Sequence, residues 1–233
     1  MTAMPYVLMY HSVDKCDDDP FQITVSPDRF ARQLLWLARR GLTGVSMSRL
    51  LRAHTEGDAK GLVGLTFDDG YADFCSEVVP ALLERGFSAT VFVVSGLVGE
   101  HNAWDEGGPR KRLMDADGLR WAARHGMEVG AHSAGHRSLT GLSEAELHDE
   151  VAGGKAALED LLGEPVNGFC YPYGHAGARE VDAVRRAGYG YGCAIWKSEL
   201  SGRYALPRTY VGERDGALRL RAKHARHRVR WAW

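Results

Sequence analysis

The chain has 233 residues, with 29 Lys+Arg against 30 Asp+Glu, 45% hydrophobic and 25% charged residues. That length fits one large domain or two small ones, and the composition excludes a disordered, collagen-like or low-complexity chain. The longest uncharged apolar run, MPYVLMY at 4–10, is far shorter than the roughly 20 residues of a membrane helix.

In chain order, a strand is predicted at Val7–Tyr10, ending in His11. No Lys or Arg precedes this run, and Asp14, Asp17, Asp18 and Asp19 follow it, so it does not read as a secretion signal and predicts a cytoplasmic protein. A helix is predicted over Pro27–Arg39, with Ser26 as N-cap and Phe30, Leu34, Leu37 and Ala38 on one face. Further strands are predicted at Leu62–Phe67, Ala89–Val94, Met127–Ala131, Gly168–Tyr171 and Gly192–Ile195. Helices are predicted between them, over Tyr71–Arg85, Asp115–His125, Ser143–Leu162 and Ala178–Ala187, each followed by glycine near its end. Ser143-Glu144-Ala145-Glu146 has the form of a capping box. Several strands lack polar alternation, as strands covered on both faces do. The repeated order predicts a parallel α/β architecture, either barrel-like or doubly wound. The polar loop Gly99–Arg112 carries an isolated Trp104. Cys16, Cys75, Cys170 and Cys193 form no C-x-x-C pair and read as reduced, mostly buried thiols.

Chemistry concentrates at two strand ends. Asp68 and Asp69 follow Leu62–Phe67 directly, where parallel sheets build their sites. Adjacent carboxylates repel and desolvate each other unless a cation shares them, so one suits a metal and the other proton transfer. The alternative is an exposed Asp-Asp-Gly turn. His132 and His136, in HSAGH, follow the strand Met127–Ala131. A helical turn or a tight loop at Gly135 brings both imidazoles to one side. Two histidines and a carboxylate are a common catalytic zinc set.

TFDDG at Thr66–Gly70 and HSAGH at His132–His136 resemble the first two motifs of the polysaccharide deacetylases, the carbohydrate esterase family 4 or NodB-homology enzymes. The resemblance spans about Met4 to Val211. It implies a distorted (β/α)7 barrel over residues 1–217, followed by a basic tail at 218–233. It also implies one divalent metal, zinc or else cobalt, nickel or manganese, and removal of acetyl groups from N-acetylhexosamine glycans. Carried onto this chain, Asp68 is the general base, while Asp69, His132 and His136 hold the metal. The family's third motif, R-x-P-[FY]-G, is represented by Cys170-Tyr171-Pro172-Tyr173-Gly174, with Cys170 in the arginine place. Arg208, in LPRT, is the candidate to replace that arginine. Tyr171, Pro172 and Tyr173 are expected to shape the substrate groove, and the backbone after Pro172 to help bind the oxyanion. The usual C-terminal strand ending in Leu-His is missing; Val7–Tyr10 followed by His11 resembles its counterpart in the circularly permuted poly-N-acetylglucosamine deacetylases. His11 is then the general acid. Trp196 resembles a groove-lining aromatic of the fourth motif, and Trp104 and Trp196 complete the substrate-binding set. Two other readings stay open: a hydrolase of a non-sugar amide or acetylated secondary metabolite, and a silent glycan-binding protein without the motif-three arginine.

From Leu218 to Trp233 there are six Lys/Arg and no Asp or Glu, together with Trp231 and Trp233. Such a stretch suits a phosphate-rich partner, an anionic membrane surface or an acidic patch of its own domain, or is simply a solvated terminal helix. The rest of the chain is net acidic, so no nucleic-acid partner is expected.

Overall fold

The structure, a computed structural model, describes residues 4–104 and 106–231, with side chains described as far as Val229. Its first elements are β1 (Val7–Tyr10), β2 (Ser12–Val13), β3 (Thr24–Val25), α1 (Pro27–Ala38), β4 (Thr43–Val45), α2 (Met47–Glu56) and β5 (Leu62–Phe67). There follow α3 (Val79–Leu83), β6 (Thr90–Val93), α4 (Ala116–Arg124), β7 (Glu128–Ala131), α5 (Glu144–His148) and α6 (Gly154–Leu162). The last are β8 (Gly168–Cys170), α7 (Ala178–Arg186), β9 (Tyr191–Cys193), β10 (Thr209–Tyr210) and α8 (Ala217–Trp231).

Seven parallel strands run in the order β10-β1-β5-β6-β7-β8-β9, and the carboxyl half of β5 pairs with β6 while β4 pairs with its amino half. The sheet curls into a half-barrel, with the helices packed outside it. The β9 side is bordered by the segment before β10: Cys193 bridges Leu206, and the Ala194 amide donates to the Leu206 carbonyl. All four residues of β1 and of β6 are buried, which accounts for their uninterrupted apolar sequence. β2 and β3 form a separate two-stranded pair just beyond His11. The barrel reading is the one the fold takes; the doubly wound alternative is not.

Two predicted helices are interrupted by π turns. In Tyr71–Arg85 regular structure begins with a π turn at Phe74–Val78 and continues as α3. Pro80 has no N–H to complete an α-type ladder, and the Val79 amide reaches back to the Phe74 carbonyl instead. Ser143–Leu162 follows one helical path in which a π turn, Asp149–Gly153, separates α5 from α6. The capping box of Ser143 and Glu146 is formed.

The basic tail is not a free appendage. α8 begins at Ala217, and Leu220 is buried in the same core as Tyr6, Leu34 and Leu37. His224 stacks on Tyr6 with centroids 5.1 Å apart, and His227 Nε2 donates to the Met4 carbonyl at 3.0 Å. Lys223 donates to the Tyr210 carbonyl and to Asp215 Oδ2. Trp233 and the Trp231 side chain lie outside the described residues. Among the described residues no helix is long and apolar enough to cross a membrane. Leu220→Ala should therefore destabilise the whole domain by about 2–5 kcal/mol, as a cavity in a shared core does. Urea denaturation followed by circular dichroism checks this; a loss confined to fraying of α8 would contradict it.

Candidate active site and metal centre

β1, β5 and β7 end at one rim of the curled sheet, with β6 between the last two, and the residues that follow them converge. His11 follows β1, Asp68 and Asp69 follow β5, and His132 follows β7. The Asp68 amide donates to the Tyr10 carbonyl and the His132 amide to the Val93 carbonyl, which fixes where each loop leaves the sheet. Asp69 then turns into the left-handed region at φ 73°, a conformation that Asp tolerates better than most residues. Ser133, His136 and Tyr173 also have positive φ, so four of the five described non-glycine residues of this kind gather here. Such conformations cost free energy and persist where surrounding contacts enforce them.

Asp69, His132 and His136 are all buried, and their ligand atoms lie within 4.8 Å of one another. Each histidine places Nε2 at 3.3 Å from Asp69 Oδ1. That oxygen is buried and has no hydrogen-bond partner. His132 Nδ1 donates to the Cys170 carbonyl at 2.8 Å, which turns its Nε2 towards the carboxylate. An orphaned buried carboxylate oxygen between two imidazoles is unfavourable without a cation, so these residues fit a divalent metal. Burial pushes the Asp69 carboxyl up, but the adjoining imidazoles outweigh it and hold the group well below the usual carboxylate range.

The loop that carries the histidines is braced from behind. Glu150, on the π turn before α6, accepts from the Ala134 and Gly135 amides at 3.1 and 2.8 Å, and Ser133 Oγ accepts from the His136 amide at 3.0 Å. Gly154 brings the helix close: a Cβ there would lie 3.2 Å from the Ala134 nitrogen.

Arg208, just before β10, places its guanidinium against Asp68. Nη1 donates to Asp68 Oδ1 at 2.6 Å and Nη2 to Oδ2 at 2.7 Å. The other N–H groups go to Thr66 Oγ1, the Cys170 thiol and the Ala194 carbonyl, each at 3.0 Å. All five donors of the guanidinium are used, and the pair is buried. Burial pushes the Asp68 carboxyl up, and Arg208 outweighs it, holding the group ionised below its usual range. His11 Nε2 stands 3.9 Å from Asp68 Oδ2.

Among the aromatic residues, Trp104 stacks on His136 at 4.3 Å, and Tyr173 meets the same ring edge-on at 4.9 Å. Tyr173 is 46% exposed and Trp196, 60% exposed, lies beyond His175 on the same rim. Tyr171 does not line the groove. It is 1% exposed, packs on Phe169 and donates its hydroxyl to the Tyr204 carbonyl, because the residue just past β8 turns its ring into the core. Pro172 is likewise buried and opens the turn that presents Tyr173.

A family model for polysaccharide deacetylases matches residues 55–192. The chain belongs to the polysaccharide deacetylase family. The Bacillus subtilis relative YxkH is 26% identical over 211 residues, covering 88% of this chain and 70% of that protein. A poly-β-1,6-N-acetyl-D-glucosamine N-deacetylase of Staphylococcus aureus is 24% identical over 198 residues, 82% of this chain and 68% of its own. The fold is shared with the Streptococcus pyogenes deacetylase PplD, solved with acetate, at a TM-score of 0.81 and 23% identity over 96% of this chain and 99% of that one. It is shared too with a de-N-acetylase from Aggregatibacter actinomycetemcomitans, at 0.79 and 20% identity over 94% and 98% of the two chains.

Within this member of the family, Glu150 and Asp73 escape a motif search. Glu150 does leave a signal, as a charged residue three positions after the buried Leu147 and beside the buried Val151. Asp73 accepts from Ser12 Oγ at 2.6 Å and the Val13 amide at 3.0 Å, locking the turn after His11, while Lys111 Nζ donates to the same Ser12 hydroxyl. Burial pushes the Asp73 carboxyl up to about 6, against the pull of its hydrogen bonds. A carboxyl raised in the folded state contributes stability present below its unfolded value near 3.9 and lost as pH rises through about 6. Wild type should lose stability over that window, and Asp73→Asn should flatten the slope in denaturation curves taken from pH 4 to 7. For the buried carboxylate of Asp68, Arg208→Met should cost about 3–5 kcal/mol by stranding it. The double variant Asp68→Asn/Arg208→Met should recover part of that loss; equal or greater destabilisation in the double variant would refute the pairing as its source.

Proposed function

We propose that the protein removes the acetyl group from an N-acetylhexosamine unit of a glycan or glycoconjugate, by hydrolysis dependent on one divalent metal ion, zinc. The observation that carries this reading is the pairing of two differently held carboxylates at one strand end. Asp69 faces two imidazoles, whereas Asp68 is fixed by a guanidinium. Asp69, His132 and His136 would hold the metal, a donor set that suits zinc and also accepts cobalt, nickel or manganese. The bound ion supplies Lewis acidity, lowering the pKa of water towards ~7 and offsetting negative charge on the acetyl oxygen.

Asp68 is the general base. Its bidentate contact with Arg208 fixes the plane of the carboxylate, and Oδ2, the oxygen nearer His11, takes the proton of the attacking water. Arg208 is a positioning residue that keeps Asp68 ionised and stationary. His11, with Nε2 3.9 Å from Asp68 Oδ2, hands a proton from Nε2 to the departing amine. The Tyr173 amide, following Pro172 in the turn, is the backbone donor for the acetyl oxygen. Trp104, Tyr173 and Trp196 offer flat apolar faces along the rim, suited to sugar rings. The relatives support a glycan in particular, since one of them is named for acting on poly-N-acetylglucosamine.

The decisive experiment measures acetate release from N-acetylglucosamine oligomers by metal-stripped protein, with and without added zinc, alongside zinc stoichiometry. Asp68→Asn should keep the zinc and lose about 10²–10⁴ of the turnover, as removal of a general base does. His132→Ala should lose both. Equal loss of zinc in the two variants would refute the division of roles, and stoichiometric zinc without acetate release would move the activity to another amide.

A further inference from the structure

The outer surface of α8 is not an ordinary solvated helix. Leu220, Lys223, His224 and His227 form the seam that docks it. On the opposite side, Leu218, Ala222, Ala225 and Val229 recur at steps of four, three and four, which places them in one narrow stripe. All four are exposed, Leu218 to 82% and Val229 to 80%. By the same periodicity Arg219 and Arg226 flank one side of this stripe, and Arg221 and Arg228 the other. No acidic residue occurs anywhere in α8. Across a groove of about 610 Å³, α1 and the turn that ends it add the exposed Arg32, Leu35, Arg39 and Arg40, with the Arg40 guanidinium 4.6 Å over the Trp36 ring. None of these seven arginines has a carboxylate partner among the described residues.

Two costs coincide here: an apolar stripe left in water, and a dense field of one charge in a chain that is net −1. An anionic lipid surface relieves both at once. The stripe settles at the boundary between headgroups and acyl chains, and arginine stems on either side extend to the phosphates. A second copy of the chain would set arginines against arginines. A nucleic acid would leave Leu218 and Val229 unused, and the groove's indole is already covered by Arg40. We propose that the α8–α1 face docks this protein on anionic membrane, with α8 lying in the plane of the surface.

The test is co-sedimentation of the full chain with phosphatidylcholine vesicles, prepared with and without phosphatidylglycerol. Binding should require phosphatidylglycerol and weaken as added salt shortens the Debye length. Arg219→Gln/Arg226→Gln/Arg228→Gln should lower partitioning on the order of a hundredfold. Leu218→Ser/Val229→Ser, which keeps every charge, should lower it about tenfold or more. Both variants should match wild type in circular dichroism and in turnover of a soluble substrate. Equal binding to both vesicle types, or binding unaffected by either variant, would overturn the proposal. So would indifference to vesicles combined with retention on duplex DNA, or with self-association in sedimentation, that the arginine variant abolishes.

Discussion

The guanidinium of Arg208 is the constraint around which the site is organised. One side chain gives all five of its N–H groups to partners on β5, β8 and the end of β9, two of them to the carboxylate of Asp68. A buried carboxylate beside a second buried carboxylate is untenable without compensating charge. Arg208 supplies it for Asp68, and the histidine pair with its metal would supply it for Asp69. The two acids thereby acquire different environments on adjacent residues, which is what distinct chemical roles require. Because the arginine also reaches across strands, the same contacts that balance charge hold the curl of the sheet.

The metal-facing loop shows how the scaffold enforces an unfavourable local shape. Ser133 and His136 adopt positive φ because Glu150 draws in the Ala134 and Gly135 amides, and because the helix behind approaches closely at Gly154. Glu150 occupies a π turn, and the extra residue in that turn rotates its side chain towards the loop. Trp104 and Tyr173 then close on His136 from two sides, so the ring that would hold the metal is fixed by packing as well as by its backbone.

Much of this was legible from sequence because it rests on local signals. Asp68, Asp69, His132 and His11 lie within two residues of the end of a buried strand, with His136 one tight loop further on, and a parallel sheet brings such positions together. The capping box at Ser143 and the glycines after helices marked their ends. β2, β3 and β10 have two residues each, too few to carry a period, and their pairing is decided by tertiary contact. α2 escaped despite Ser46 at its N-cap and Gly57 at its C-cap, since no apolar run announces it. The Tyr171 assignment failed for a related reason. A turn motif does not say which of its aromatics faces inward, and here Tyr171, just past β8, packs into the core, while the turn after Pro172, with Tyr173 at φ 59°, puts Tyr173 outside.

The order of the strands has a consequence in time. β1 opens the chain and lies between β5 and β10, so the edge strand that Arg208 introduces is added to the sheet last. During synthesis from the N-terminus the ribosome releases Asp69, His132 and His136 well before Arg208. A nascent chain thus carries Asp69 and both histidines while Asp68 still lacks its counter-charge. Long-range closure of this kind is slow compared with helix formation. The gathering of Asp69 with its two histidines and the pairing of Asp68 with Arg208 are consequently separable events in the life of the molecule, the first open to a chain still being made and the second only once Arg208 has been added.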